Sequence, residues 1–168
     1  FNLSAWDCKT GGILASIPGT ICSECYARRG HYAIYRENHA LGYDRKLQNV
    51  DSIYWVDAMI KLIGNDAHFR WFGSGDLQSL EMLEKIVIIA QALPKTLFWL
   101  PTHEPKFVKM WLDKHQQEFP ENLIIRISAV YVDKPSKLPK SLEGHKNILT
   151  STVHTVKTIG QECIAKDQ

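Results

Sequence analysis

No uninterrupted apolar run in this 168-residue chain approaches the roughly 18 residues that would cross a bilayer, so no membrane-embedded role is expected. The chain also lacks a basic, then apolar, then small-residue opening of the kind that directs export, and the expected location is cytoplasmic. Charge of one sign is scarce: 20 Lys and Arg stand against 18 Asp and Glu, a formal net charge of +2. That excess is too small to argue by itself for nucleic acid or an acidic membrane. There is no Walker A loop and no G-x-S-x-G element. Gly73-Ser74-Gly75 is too short for a dinucleotide fingerprint, which needs a third glycine at the start of a helix. Nucleotide hydrolysis, serine hydrolase chemistry and dinucleotide binding are therefore without a motif.

What remains is an ordinary globular composition, 45% hydrophobic and 23% charged, and four cysteines: Cys8, Cys22, Cys25 and Cys163. Two disulfides suit small exported domains that lack a core, and this chain has core-forming segments. Isolated buried thiols are a second reading, because free cysteine packs as a small hydrophobe. Metal ligation is the third, and the spacing favours it.

The chain is expected to form a single domain over 1–168, divided between cysteine loop and helices (1–64) and repeated strand–helix units (65–168). Residues 1–30 hold three cysteines and Gly11, Gly12, Gly19 and Gly30, and lack sustained periodicity. Ile34 to about Gly64 carries apolar residues at helical spacing and ends at Gly64-Asn65. Beyond it, Phe69–Gly73, Thr96–Leu100, Leu123–Ser128 and Ile148–Val153 read as strands at similar intervals. Helices are expected over 77–93 and 105–119, with Thr102 as a candidate cap. This alternation predicts an α/β fold: a partial (βα) barrel or small parallel sheet with a helical, cysteine-bearing N-terminal lobe. The near-continuous apolar runs predict strands covered on both faces. Val132–Lys146, polar with two prolines, is expected to be an exposed loop.

Cys22-Ser23-Glu24-Cys25 is a C-x-x-C, whose spacing lets two thiolates address one metal ion or cluster. No strand precedes it, which sets it apart from thioredoxin-like sites, and without a second pair the zinc-ribbon pattern is incomplete. Adding Cys8 and Cys163 would make a closed four-thiolate site tying both chain ends to the domain. Zinc and iron–sulfur both accept four thiolates. The wide spread of the ligands, and Trp6, Ile17, Tyr26 and Tyr32 as shielding neighbours, favour a 4Fe–4S cluster, with zinc as the alternative.

Pro18-Gly19 ahead of Cys22-Ser23-Glu24-Cys25-Tyr26-Ala27, followed by basic residues, Gly30 and Tyr32, resembles the bacteriophage gene product 88 family. Gly73-Ser74-Gly75-Asp76, the Thr102 turn and the strand ending at Ser128 fit the same pattern, so the resemblance covers most of the chain. More distantly, the family is similar to radical S-adenosylmethionine (SAM) enzymes, whose partial (βα) barrels carry a 4Fe–4S cluster at the strand C-terminal ends. The resemblance implies a phage protein in the host cytoplasm; from the cysteine set itself the expected role is electron transfer or redox sensing, with a redox partner of unassigned identity. It also implies a rival, a radical SAM-like enzyme with an open cluster iron. This chain departs from that rival's C-x-x-x-C-x-x-C pattern: Cys8 is far from Cys22, and Cys163 is placed to fill the fourth iron.

Ligands in parallel α/β folds bind beyond strand C-termini. Asp76, in the first such turn, is a candidate cofactor contact, against the plainer role of capping the next helix. His103, after the second strand, is a candidate ligand, proton donor or substrate contact, against a surface histidine. His154 is weaker. Arg28, Arg29, His31 and Arg36, interleaved with Tyr26, Tyr32 and Tyr35, could hold single-stranded nucleic acid. A solvated helix face is the commoner meaning. A zinc-stabilised nucleic-acid-binding module is thus a further alternative.

Overall fold

The computed structural model describes residues 1–156. Four parallel strands, β1 (His68–Arg70), β2 (Leu97–Thr102), β3 (Leu123–Ser128) and β4 (Ile148–Ser151), form one sheet in the order β1-β2-β3-β4. Phe98 pairs with Leu123 and Ile125 with Ile148, so the sheet winds in one direction without a reversal. The expected small parallel α/β sheet is present, and β3 spans the residues expected of it. β1 is shorter, because Phe72 takes a left-handed backbone (φ 52°) and turns the chain.

Burial along β2 and β3 alternates. Phe98, Leu100, Leu123, Ile125 and Ile148 are sealed in the core, each contributing about 1.5–3 kcal/mol. On the opposite face Leu97, Trp99 and Leu149 remain substantially exposed. Among the described residues only one face is covered, which corrects the expectation of coverage on both.

The covering layer follows from helical spacing. In α4 (Trp55–Ile63), Trp55, Met59 and Ile63 recur at i, i+4, i+8 and are buried, and Gly64 (φ 56°) stops the helix. In α5 (Leu80–Ala92) the Ser79 hydroxyl accepts from the Met82 N–H at 3.1 Å, and Met82, Leu83, Ile86, Val87, Ile89 and Ala90 are buried. In α6 (Pro105–His115) Pro105 starts the helix and left-handed Gln116 ends it, short of the expected residue 119. Asn122 Nδ2 lies 2.9–3.0 Å from the Ala90, Leu93 and Thr96 carbonyls, joining the end of α5 to the starts of β2 and β3. The 132–146 loop is anchored by the fully buried Leu142.

The first half holds α1 (Lys9–Leu14), α2 (Gly30–Ile34) and α3 (Arg36–Val50). The helical stretch expected from Ile34 to Gly64 is broken at Asp51–Tyr54. Within α3 only Val50 is buried, so that helix stands largely free of the core. No described helix is long and apolar enough to cross a membrane.

Candidate metal centre

Three attachments hold the cysteine lobe over the C-terminal ends of the strands. Beyond β1, Phe72 N–H donates to the Phe1 carbonyl (2.8 Å), Leu3 N–H to the Ser74 carbonyl (3.0 Å), and the Ser74 hydroxyl to the Leu3 carbonyl (2.9 Å). Gly75 (φ 79°) is required there, because a Cβ would sit 2.6 Å from Leu3 Cβ and 2.9 Å from its backbone. Beyond β2, the buried Glu104 accepts from Thr10 N–H at 2.9 Å and so caps α1 from 94 residues away. Beyond β3, Ile21 N–H donates to the Val130 carbonyl (2.9 Å) and Val132 N–H to the Gly19 carbonyl (3.1 Å).

Cys8 immediately precedes α1, and Cys22 and Cys25 lie in and just after a 3-10 turn, Ile21–Glu24. Thr20, fully buried, shapes that turn by accepting from Ser23 N–H (3.1 Å). Gly11 makes room between the cysteines: Cys22 Sγ and Cys8 Sγ lie 3.4 and 3.8 Å from where its Cβ would be. All three thiols are free and partly buried. Burial, then the nearby Asp76 carboxylate and the other two thiols, pushes Cys8 up to about 12. Burial, Cys25 and Asp76 push Cys22 up to about 11. The Arg28 guanidinium opposes both shifts. Its Nε–H is buried with no hydrogen-bond partner among the described residues, beside thiols that a metal centre would turn into acceptors.

Among the described residues, no three His, Cys, Asp or Glu side chains are grouped as ligands of a single metal ion. Cys163 lies outside the described residues. Of the expected shields, Ile17, Tyr26 and Tyr32 are exposed; Tyr26 reaches out to donate its hydroxyl proton to the Gly73 carbonyl. Tyr32 instead lines a neighbouring cavity together with the partly exposed Trp6.

Asp76 is brought to the thiols, but it does not cap α5; Ser79 does. Its Oδ1 accepts from Leu77 N–H (2.7 Å) and the Thr102 hydroxyl (2.6 Å), and its Oδ2 from His103 N–H (2.9 Å). Burial outweighs these bonds and raises it to about 6. His103 is partly buried, and desolvation lowers its pKa. Thr102 accepts from Glu104 N–H at 3.0 Å, just ahead of α6. His154 keeps apart, its Nε2 2.7 Å from the Thr152 hydroxyl. Arg28 and Glu104 were not anticipated at this site: the basic stretch read as a helix face, and nothing local marks Glu104 as the cap of a distant helix.

No curated protein and no solved structure matches the chain. The gene product 88 family model matches residues 2–162, over which the strand turns and the cysteine lobe both fall, and the chain belongs to that family.

Proposed function

We propose that the chain holds a 4Fe–4S cluster on Cys8, Cys22 and Cys25, with Cys163 as the fourth thiolate, and serves in electron transfer or redox sensing. The observation that carries the reading is the convergence of three thiols from two separate segments beside an Arg28 N–H that has no partner among the described residues. Thiolates of a cluster bind different irons, so they need not converge as ligands of one ion must, which accords with the described side chains. The cluster would supply one-electron chemistry. Around it, Gly11 leaves space, Arg28 offers a hydrogen bond and a positive charge to the sulfur-rich group, and the thiols give up their protons on loading. Glu104, through α1, holds Cys8 in register with the C-x-x-C turn.

Metal and acid-labile sulfide analysis, with electron paramagnetic resonance on anaerobically purified protein, tests this. About four irons and four sulfides per chain are expected, with loss of both in Cys8→Ser, Cys22→Ser and Cys25→Ser. One zinc without sulfide would overturn the cluster and favour a structural zinc site. Retention of a full cluster in Cys163→Ser, with SAM binding by calorimetry, would shift the reading to a radical SAM-like enzyme whose fourth iron is open.

A further inference from the structure

The inward side of α3 does not close against the body. Arg36, Ala40, Tyr43 and Asp44 recur at i, i+4, i+7 and i+8, the spacing of one helix face. They wall a cavity of about 180 Å³ whose far side is Trp6, Asp7 and Tyr32. An apolar stripe at this spacing would have sealed the helix down; this one leaves a polar, aromatic-lined space. The Arg36 guanidinium lies over the Trp6 ring, 4.7 Å from its centroid. Arg36, Asp7 and Asp44 form no salt bridge among the described residues.

Flat aromatic walls and a guanidinium plane bind planar heterocycles by stacking. Carboxylates accept from the exocyclic amino groups of such rings. The charge continues past the cavity: residues 28–46 carry five Lys and Arg against two Asp and Glu, a surplus of three, whereas the whole chain has a surplus of two. Of these five, Arg28 lies beside the thiols and Arg29 pairs with Glu24, which leaves Arg36, Arg45 and Lys46 along α3. Arg45 and Lys46 follow Asp44 on α3, with Lys46 Nζ 5.4 Å from the Tyr43 ring centroid. His31 and Tyr35 stack in parallel planes on the same exposed stretch (6.0 Å). A charged track longer than one residue's reach suits a polymer of phosphates better than a free nucleotide.

We infer that this lobe binds single-stranded nucleic acid, seating one unstacked base in the cavity and running the phosphates along α2–α3. Bases with amino groups (adenine, cytosine) are favoured over thymine, because Asp7 and Asp44 are acceptors.

The test is fluorescence anisotropy with labelled 12-nucleotide dA, dC and dT strands and a 12-base-pair duplex, on the full chain as purified. Single strands are expected to bind more tightly than duplex, with dA and dC ahead of dT. Affinity should fall as salt rises, and R45Q/K46Q should flatten that dependence by about 0.7 in log–log slope for each phosphate no longer neutralised. Arg36→Gln with Tyr43→Ala should weaken binding about tenfold or more. Ala40→Leu, which fills the cavity and keeps every charge, should erase the base preference while leaving the salt slope. Iron content and thermal midpoint measured on the same variants separate failure here from failure of the metal centre or of folding. Equal affinity for duplex, a base preference surviving Ala40→Leu, tight binding of mononucleotides alone, or equal weakening by Lys109→Gln on α6 would each overturn the proposal.

Discussion

Thr102 Oγ1 donates a 2.6 Å hydrogen bond to Asp76 Oδ1, tying the end of β2 to the turn after β1 inside the core. The carboxylate so held is raised from 3.8 to about 6, chiefly by burial. The folded chain therefore holds that proton more tightly than the unfolded chain. Stability from this group is complete below about pH 4 and is lost as pH rises through about 6, the reverse of an ion-paired aspartate. Urea melts of metal-free protein should show a decline of about 3 kcal/mol across that window, and Asp76→Asn should flatten it. A stability that climbs between pH 4 and 6, with the climb lost in Asp76→Asn, would refute the assignment.

Cys8 and Cys22 of the metal-free protein are protonated at neutral pH, since burial raises Cys8 to about 12 and Cys22 to about 11. Iodoacetamide reacts with thiolate. At pH 8, Cys8 is expected to be alkylated at least about a hundredfold more slowly than free cysteine, and Cys22 at least about tenfold more slowly. Peptide mass mapping over time reads both rates. Arg28→Gln should slow each further, because the guanidinium now favours the thiolate. Labelling at the free-cysteine rate would show that the three thiols do not share one partly buried site.

Two glycine substitutions should separate folding from loading. At Gly75 an added Cβ meets the Leu3 backbone and the backbone is left-handed, so Gly75→Ala is expected to cost about 2–3 kcal/mol in denaturant melts. At Gly11 the Cβ would meet Cys8 Cβ at 3.1 Å and Cys22 Sγ at 3.4 Å. Gly11→Ala should lower iron uptake at least twofold while shifting stability by less than about 1 kcal/mol. Unchanged uptake would mean that the space beside Gly11 is not used.

Asn122 is a junction rather than a simple helix breaker. Its amide faces three carbonyls, so Asn122→Ala leaves buried acceptors unmet, at about 1–3 kcal/mol. Asn122→Asp sets a carboxylate against the same carbonyls and is expected to cost more at pH 7 than at pH 4. Equal costs at both pH values would show that solvent, not Asn122, satisfies those groups.

Much of the sheet was legible in the sequence. Leu123–Ser128 is an apolar run preceded by Pro120 and Asn122, and regular strand spacing announced parallel pairing. The outward face was not, because Leu97, Trp99, Ile124 and Leu149 are apolar whether or not anything covers them. At the candidate site, Cys22 and Cys25 declare themselves by spacing. That Cys8 joins them depends on Glu104 reaching Thr10, and on Leu3 meeting Ser74 across 71 residues. Such encounters leave no periodic trace. Arg28 shows the same limit: within Arg28-Arg29 only tertiary packing separates the cation beside the thiols from Arg29, whose guanidinium pairs with Glu24 at 2.5 Å on the surface.

The uncovered sheet face has a colloidal consequence. Flat rows of apolar residues beside free strand edges invite lateral stacking between molecules. On this face Arg70 lies over the Trp99 ring at 4.5 Å, and Arg126 donates to the Thr150 carbonyl at 3.1 Å. Two like charges set among Leu97, Trp99 and Leu149 make face-to-face contact between copies repulsive. The two arginines thus stand where gatekeeper charges are needed, on the face whose apolar side chains would otherwise favour contact between copies.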